Sequence, residues 1–269
     1  MVVLPPGTLL QLMYFEERIS QLPPGRFIEI GPGGGEITAI LLRRGWVGTV
    51  VDLAATTIAR LEERFQAEVA SGSLWPCNGN FLALPCPGDE AEKVDLVVSC
   101  MVMEHLDAAD ELRFMAVAAS WLRPGGIMIG LVPASEKHWG IEDEIAGHFR
   151  RYTRESLQGL LTRAGWQRRH LAGLTYPVSN LLFPISNWLV NRYERNKLKL
   201  EVIERTKKSG ARNVPFKTSF PLVLRVLLNR KTLWPLHVVQ KLCSRKKNAL
   251  VIFFEAIPPR TGHQILEKS

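Results

Sequence analysis

Along residues 1–175, short apolar runs alternate with longer stretches in which apolar residues recur every three or four positions. The first spacing is that of buried strands and the second that of amphipathic helices. Runs at 27–30, 47–51, 74–78, 94–99, 127–132 and 170–174 predict six strands. Between them, 56–69 sets Ile58, Leu61, Phe65 and Val69 on one side and Arg60, Glu62, Glu63 and Arg64 elsewhere, which predicts one amphipathic helix. Two more helices are expected at 107–121 and 154–164, and a leading helix at 8–22, stopped by Pro23-Pro24-Gly25. Strands alternating with helices in this way predict an α/β protein with a parallel sheet.

The sharpest junction lies at 26–38. Phe27-Ile28-Glu29-Ile30 runs directly into Gly31-Pro32-Gly33-Gly34-Gly35 and then into Ile37, Ile40, Leu41 and Leu42, so strand, tight turn and helix follow without a spacer. Glycines at 31, 33 and 35 let the backbone approach a ligand and adopt positive φ. The helix behind the turn offers unpaired N–H groups. A dinucleotide fingerprint needs glycine at its first, third and sixth positions, but the sixth counted from Gly31 is Glu36, which would set a carboxylate against a pyrophosphate. The pattern of Glu29 followed by Gly-x-Gly-x-Gly instead resembles motif I of the class I S-adenosylmethionine (SAM)-dependent methyltransferases. Their cofactor carries no phosphate and bears a positive sulfonium and amino group, which suits Glu29.

Four further segments keep that family's order. Asp52 ends the second strand about 20 residues beyond the turn, where an acid grips ribose hydroxyls. Gly79-Asn80-Phe81 stands where the family has a Gly-Asp-hydrophobic step that reads the adenine amino group, and the amide oxygen of Asn80 can still accept that hydrogen bond. Val94 to Ser99, followed by Cys100, Met101 and Glu104-His105-Leu106, resembles the fourth-strand segment bordering the methionine half of the cofactor and the point of methyl transfer. Leu122-Arg123-Pro124-Gly125-Gly126 is similar to the family's LRPGG turn. Over 26–132 the resemblance implies a three-layer Rossmann-like α/β fold with a seven-stranded, mostly parallel sheet. Its last strand, at 249–256, would be antiparallel and lie beside the sixth. It also implies SAM as cofactor, bound by Glu29, Gly31, Gly33, Gly35, Asp52, Leu53, Asn80, Phe81, Cys100 and Met101. His105 is expected to open the next helix rather than to act as a base.

The methyl acceptor is expected beyond the fifth strand, over the carboxyl ends of the sheet. There His148, Arg151 and Tyr152 crowd beside Glu142, Asp143 and Glu144, in a segment that resembles the GHxRRYT run of many bacterial methyltransferases. His148 is the candidate base, with Tyr152 and Arg151 positioning a polar acceptor. The alternative is a structural knot in which Arg150 or Arg151 pairs with Glu142 or Glu144 and His148 caps a helix.

Charge adds a second feature. Residues 191–248 carry sixteen basic and three acidic side chains, so this segment is +13 and the rest of the chain −5. The expected organisation is a SAM-binding core at 1–175 and 249–260, a basic helical insertion or cap at 176–248, and a C-terminal tail at 261–269. Pro184, Pro221 and Pro235 should limit helix length in the insertion. Three roles stand open for it: a lid over the acceptor, aided by homodimer contacts; a peripheral membrane contact through 178–240, with Leu181, Leu182, Phe183, Trp188, Leu189 and Trp234 on the bilayer; and an RNA-binding patch. The lack of an NPPY-like motif argues against nucleic acid. Cys77, Cys86, Cys100 and Cys243 show no CxxC spacing and no partnering histidine cluster, so no zinc site or disulfide framework is expected, and a reducing cytoplasm is the expected location. Prolines break the N-terminus before a signal peptide can develop, and no run reaches the roughly 18 apolar residues of a spanning helix. The expected activity is methyl transfer from SAM to a hydroxyl, amine or carboxyl of a small or lipid-linked acceptor. An RNA-directed methyltransferase and a non-catalytic SAM-binding protein are the rivals.

Overall fold

A computed structural model describes residues 3–194 and 220–259. The expected strands form as β1 (Arg26–Ile30), β2 (Val47–Asp52), β3 (Leu74–Asn78), β4 (Val94–Cys100), β5 (Leu122–Pro133), β6 (Gln167–Leu174) and β7 (Val251–Ile257). They make one sheet in the order β3-β2-β1-β4-β5-β7-β6. The pairs from β3 to β5 are parallel, and β7 enters between β5 and β6 antiparallel to both.

Three layers follow from the alternation of side chains along the central strands. Phe27, Leu96, Val98 and Phe253 face one side, where they pack with residues of α1 (Pro6–Ile19), α2 (Glu36–Arg43) and α3 (Ala55–Arg64). Ile28, Val97 and Phe254 face the other, against residues of α5 (Ala108–Trp121) and α7 (Arg154–Arg163). A period of two with both faces apolar is what a sheet covered by helices on each side requires.

Three expectations shift. The helix expected over 56–69 divides into α3 and α4 (Gln66–Ala70), because the backbone leaves helical geometry at Phe65, whose buried ring lies beneath Gly35. β5 begins five residues early: Leu122 pairs with Val94 and Ile127 with Leu96, so the LRPGG segment is a bulge in the strand opposite Asp95. Finally, α8 (Val178–Glu194) continues through Pro184, at the loss of one rung of its ladder.

The insertion is docked on the core through α9 (Trp234–Leu242). Arg230 pairs with Glu16, and His237 and Lys241 with Glu17, both glutamates on α1. The buried amide of Gln240 donates to the Leu10 carbonyl at 2.9 Å and accepts from the Thr175 N–H at 3.0 Å. Part of the segment's positive charge is therefore spent against α1. The basic run at 195–219 lies outside the described residues.

Candidate active site

The sheet order places a crevice between the carboxyl ends of β1 and β4, because the chain winds outward from β1 to β3 and then returns to β4. Ligands of open α/β sheets bind at such a switch point. The expected cofactor residues converge on this end: Gly31, Gly33 and Gly35 after β1, Asp52 and Leu53 at β2, Asn80 and Phe81 after β3, and Cys100 and Met101 at β4.

The glycine turn is built as a cradle. Gly31, Gly33 and Gly35 all have positive φ, at 68°, 55° and 78°. A Cβ on Gly35 would stand 2.7 Å from Leu61 and 2.8 Å from Phe65, so this glycine is required by packing. A Cβ on Gly33 would meet no atom within 4 Å, so its exposed backbone faces open space where a ligand can lie against it. Val102 packs on Gly31 and joins the β1 turn to the tail of β4.

Glu29 is fully buried and accepts a 2.6 Å hydrogen bond from the Thr38 hydroxyl on α2, which ties the strand to the helix across the turn. Burial raises its pKa to about 7, against the single hydrogen bond that lowers it. A cationic cofactor beside it favours the carboxylate. SAM affinity should therefore rise between pH about 6 and about 8, with proton release on binding. Titration calorimetry in two buffers of different ionisation enthalpy checks this, and a flat profile would remove Glu29 from the field of the cofactor.

Asp52 is half-buried, and desolvation raises its pKa. Its Oδ1 accepts from the Ala54 N–H at 2.8 Å, which leaves Oδ2 for a ribose hydroxyl. The amide oxygen of Asn80 caps the following turn through the Leu82 N–H at 3.0 Å, so an adenine amino group would have to share it. Phe81 turns its ring into the core against Phe114, which leaves its backbone at the cleft. Leu53 is exposed, and Met101 takes positive φ where the chain leaves β4.

On the acceptor side, α6 (Ile141–Ala146) and the segment after it bring 148–152 back to the end of β5. Tyr152 bridges to Ala134, and its N–H donates to the Pro133 carbonyl. Tyr152 is 2% exposed, and its hydroxyl donates to Glu111 at 2.6 Å. Burial, then the bond to Glu111, drives its pKa far above the ordinary tyrosine value. Arg151 is also buried, with Nε bonded to Asp143 Oδ1 at 2.8 Å and Nη1 to the Ala134 carbonyl at 3.2 Å. Both side chains point into protein. They hold the segment at the end of β5. The arginine partners are Glu111 for Arg150 and Asp143 for Arg151, where Glu142 or Glu144 was the expectation.

His148 is different. Its Nδ1 lies 2.8 Å from Asp143 Oδ1, and its Nε2 points toward Glu104, 3.9 Å from Oε1. Burial raises the pKa of Asp143, but the bonds from His148 and Arg151 outweigh it and leave the carboxyl below its usual value. A charged Asp143 makes Nδ1–H the donor and leaves the Nε2 lone pair facing the cluster. His105 packs edge-on against His148, with ring centroids 4.7 Å apart, and is bonded to the Gly147 backbone. Desolvation, with His148 nearby, lowers its pKa to about 4, so it is neutral. Glu104 is fully buried, and burial raises its pKa to about 7. Sequence reasoning missed Glu104 and Glu111, which meet His148, Arg150 and Tyr152 through the fold, and gave the arginines Glu142 or Glu144 where Asp143, between the two, takes Arg151 and His148.

A groove of about 850 Å³ between α1 and α9 lies at the far end of α2 from the glycine turn and shares no residue with the cleft described here.

This sheet order, with an antiparallel β7 and a glycine cradle at the switch point, defines the class I SAM-dependent methyltransferase fold, whose cofactor is SAM. The chain belongs to the methyltransferase-domain family, which it matches over residues 10–171. Among curated relatives, the probable ribosomal RNA small subunit methyltransferase A of Methanospirillum hungatei is 42% identical over 76 residues, covering 28% of this chain and 30% of the relative. The ubiquinone biosynthesis O-methyltransferase of Brucella ovis is 29% identical over 117 residues, covering 43% of this chain and 44% of the relative. The chain thus matches less than half the length of these two relatives. The glycopeptide N-methyltransferase MtfA, solved with S-adenosylhomocysteine, superposes over 93% of this chain and 90% of its own with a TM-score of 0.53 at 14% identity, a likeness of fold.

Proposed function

We propose that this protein moves the methyl group of SAM to a hydroxyl or amine of a small-molecule or lipid-linked acceptor. The observation that carries the reading is His148, which Asp143 orients at the carboxyl end of the sheet beside the tail of β4. Bound SAM supplies an electrophilic methyl group on a positive sulfur. The chain's own part is to align the acceptor with that methyl group, exclude water and take a proton. His148 Nε2 accepts the acceptor's proton. With SAM bound, the freed lone pair would bond to the methyl carbon in line while the C–S electrons stay on sulfur, giving the neutral thioether S-adenosylhomocysteine, and His148 would return its proton to solvent.

The test uses methyl-labelled SAM with a panel of phenols, amines and carboxylic acids, each with and without an alkyl chain, and with RNA. We expect turnover of hydroxyl or amine acceptors, and His148→Gln should lower kcat by about 10²–10⁴-fold while SAM affinity stays unchanged. Normal turnover in that variant would sink the base assignment. SAM binding without turnover of any acceptor would favour a non-catalytic protein, and methylation of RNA alone the RNA-directed reading.

The lipid-linked form of the acceptor is supported by the insertion. Among the described residues, twelve of the seventeen exposed large hydrophobic side chains fall between Leu181 and Leu242, including Leu181, Trp188, Val223 and Trp234. Such a concentration of exposed apolar area marks an interaction surface. No helix among the described residues is long and apolar enough to cross a membrane, so the contact we propose is peripheral. Flotation with anionic liposomes should carry the protein up, and Leu181→Ser with Trp188→Ser should abolish it. Sedimentation of a dimer and failure to float would assign the face to a second copy instead.

A further inference from the structure

Glu104 poses a physical problem that methyl transfer does not solve. Its carboxyl group is wholly shielded from solvent, and among the described residues neither oxygen has a hydrogen-bond partner in another residue. A buried carboxyl without a partner loses its hydration for nothing in return, so native structures avoid the arrangement or place a cation there. Two imidazoles lie beside it. His105, His148 and Glu104 each turn one ligand atom inward, and these atoms all lie within 4.8 Å of one another.

We propose that Glu104, His105 and His148 bind one divalent transition-metal ion. Four features favour this over a chance meeting of side chains. The carboxylate oxygens take no hydrogen bond from another described residue. His148 is oriented by Asp143, and a carboxylate behind a histidine is the usual outer support of a metal ligand, since it fixes the tautomer and raises the basicity of the far nitrogen. That support is itself anchored, because Asp143 also accepts from Arg151 and from the Gly140 N–H at 2.9 Å. The two halves of the cluster are locked together in turn, since the Phe149 N–H donates to the Glu104 carbonyl at 2.8 Å.

The donor set indicates which ion. Two imidazoles and one carboxylate suit Zn²⁺, Mn²⁺ or Co²⁺ and are poor for Mg²⁺ or Ca²⁺, which prefer oxygen. Ligands at about 2.0–2.2 Å from an ion stand at most about 4.4 Å apart, so modest side-chain rotation closes the cluster around one. Three protein ligands leave coordination positions open. His105 and His148 are partly accessible where Glu104 is not, so the open side is the one the histidines present to solvent. With the ion in place, His148 Nε2 is a ligand, so the ion would take over from it the task of freeing the acceptor's proton. An acceptor hydroxyl taken into an open position would lose its proton to solvent through the Lewis acidity of the ion. That last consequence rests on the methyl-transfer reading, while ion binding itself does not.

The test needs neither SAM nor acceptor, so its failure leaves methyl transfer standing, and loss of methyl transfer leaves it standing. Chelator-treated full-length protein is titrated with Zn²⁺ and with Mn²⁺ by calorimetry. One ion per chain is expected, with Zn²⁺ at Kd below about 10 μM, and Tm should rise by about 5–10 °C at a hundredfold excess over Kd. Glu104→Gln and His105→Gln should each weaken binding at least about 100-fold. X-ray absorption of the Zn²⁺-loaded wild-type protein should show two imidazole nitrogens, which keeps the test decisive if a variant fails to fold. Binding no tighter than about 100 μM, equal binding by folded variants, or a zinc shell with fewer than two imidazoles would overturn the proposal.

Discussion

Gly33→Val should abolish SAM binding while leaving the protein folded. The backbone at Gly33 has φ of 55°, and the space above its Cα is empty out to 4 Å. A Cβ there meets no protein atom. The cost to the fold is that of a branched residue in the left-handed region, about 1–2 kcal/mol. The isopropyl group would instead occupy the space in which the cofactor lies against the turn, and we expect SAM affinity to fall by more than about 100-fold, equivalent to about 3 kcal/mol. Gly35→Ala is the contrasting variant. Its methyl group would be driven against Leu61 and Phe65, so it should lower Tm through the core before it affects the cofactor directly. Thermal unfolding and calorimetry on the two variants separate the roles. A Gly33→Val protein that still binds SAM with normal affinity would place the cofactor elsewhere.

Asp143→Ala should be the most damaging single change to stability on the acceptor side. Asp143 accepts from the Arg151 guanidinium, from His148 and from the Gly140 N–H, and both members of the Asp143–Arg151 pair are buried. Removing the carboxylate leaves a guanidinium in the interior, its Nη1 still bonded to the Ala134 carbonyl but its Nε without Asp143. Breaking one side of a buried pair costs about 3–5 kcal/mol, because the surviving charge is left uncompensated. For a chain of this size that corresponds to a fall in Tm of about 8–15 °C. Asp143→Asn keeps an acceptor oxygen and should lose about half as much. A change in Tm below about 2 °C in the alanine variant would show that solvent reaches Arg151 and that the pair does not hold the segment.

The sheet was legible because its signal is local. Phe27-Ile28 and Val94 to Val98 are apolar on both faces, and the glycines between β1 and α2 mark the one place where the backbone must turn tightly. The bulge at LRPGG was legible as a turn, though not as part of β5, because pairing across Asp95 depends on β4 and not on the segment's own residues. Breaking the third helix at Phe65 was hidden for a related reason: the apolar period continues through it, and the ring's place beneath Gly35 is a tertiary fact.

In the site, the residues that touch the turn could be read from spacing, whereas those that hold the acceptor side could not. The 148–152 segment carries two arginines, and Glu142 and Glu144 are its nearest acids in sequence along with Asp143. The fold instead pairs Arg150 with Glu111, which lies 39 residues away, and gives Asp143 both Arg151 and His148. The cluster of Glu104 with His105 and His148 was equally hidden, since α5, β5 and α6 separate the two histidines along the chain and only the fold brings them together. The likeness to known methyltransferases was carried by residues 26–132, while the groups that would select and activate an acceptor lie mostly beyond them.

The most direct measurement is titration calorimetry of the full chain with SAM and with S-adenosylhomocysteine. The account predicts one site per chain with Kd in the range of about 1–100 μM for both ligands, lost in Gly33→Val and weakened at low pH. Absence of binding by both ligands to folded wild-type protein would contradict it.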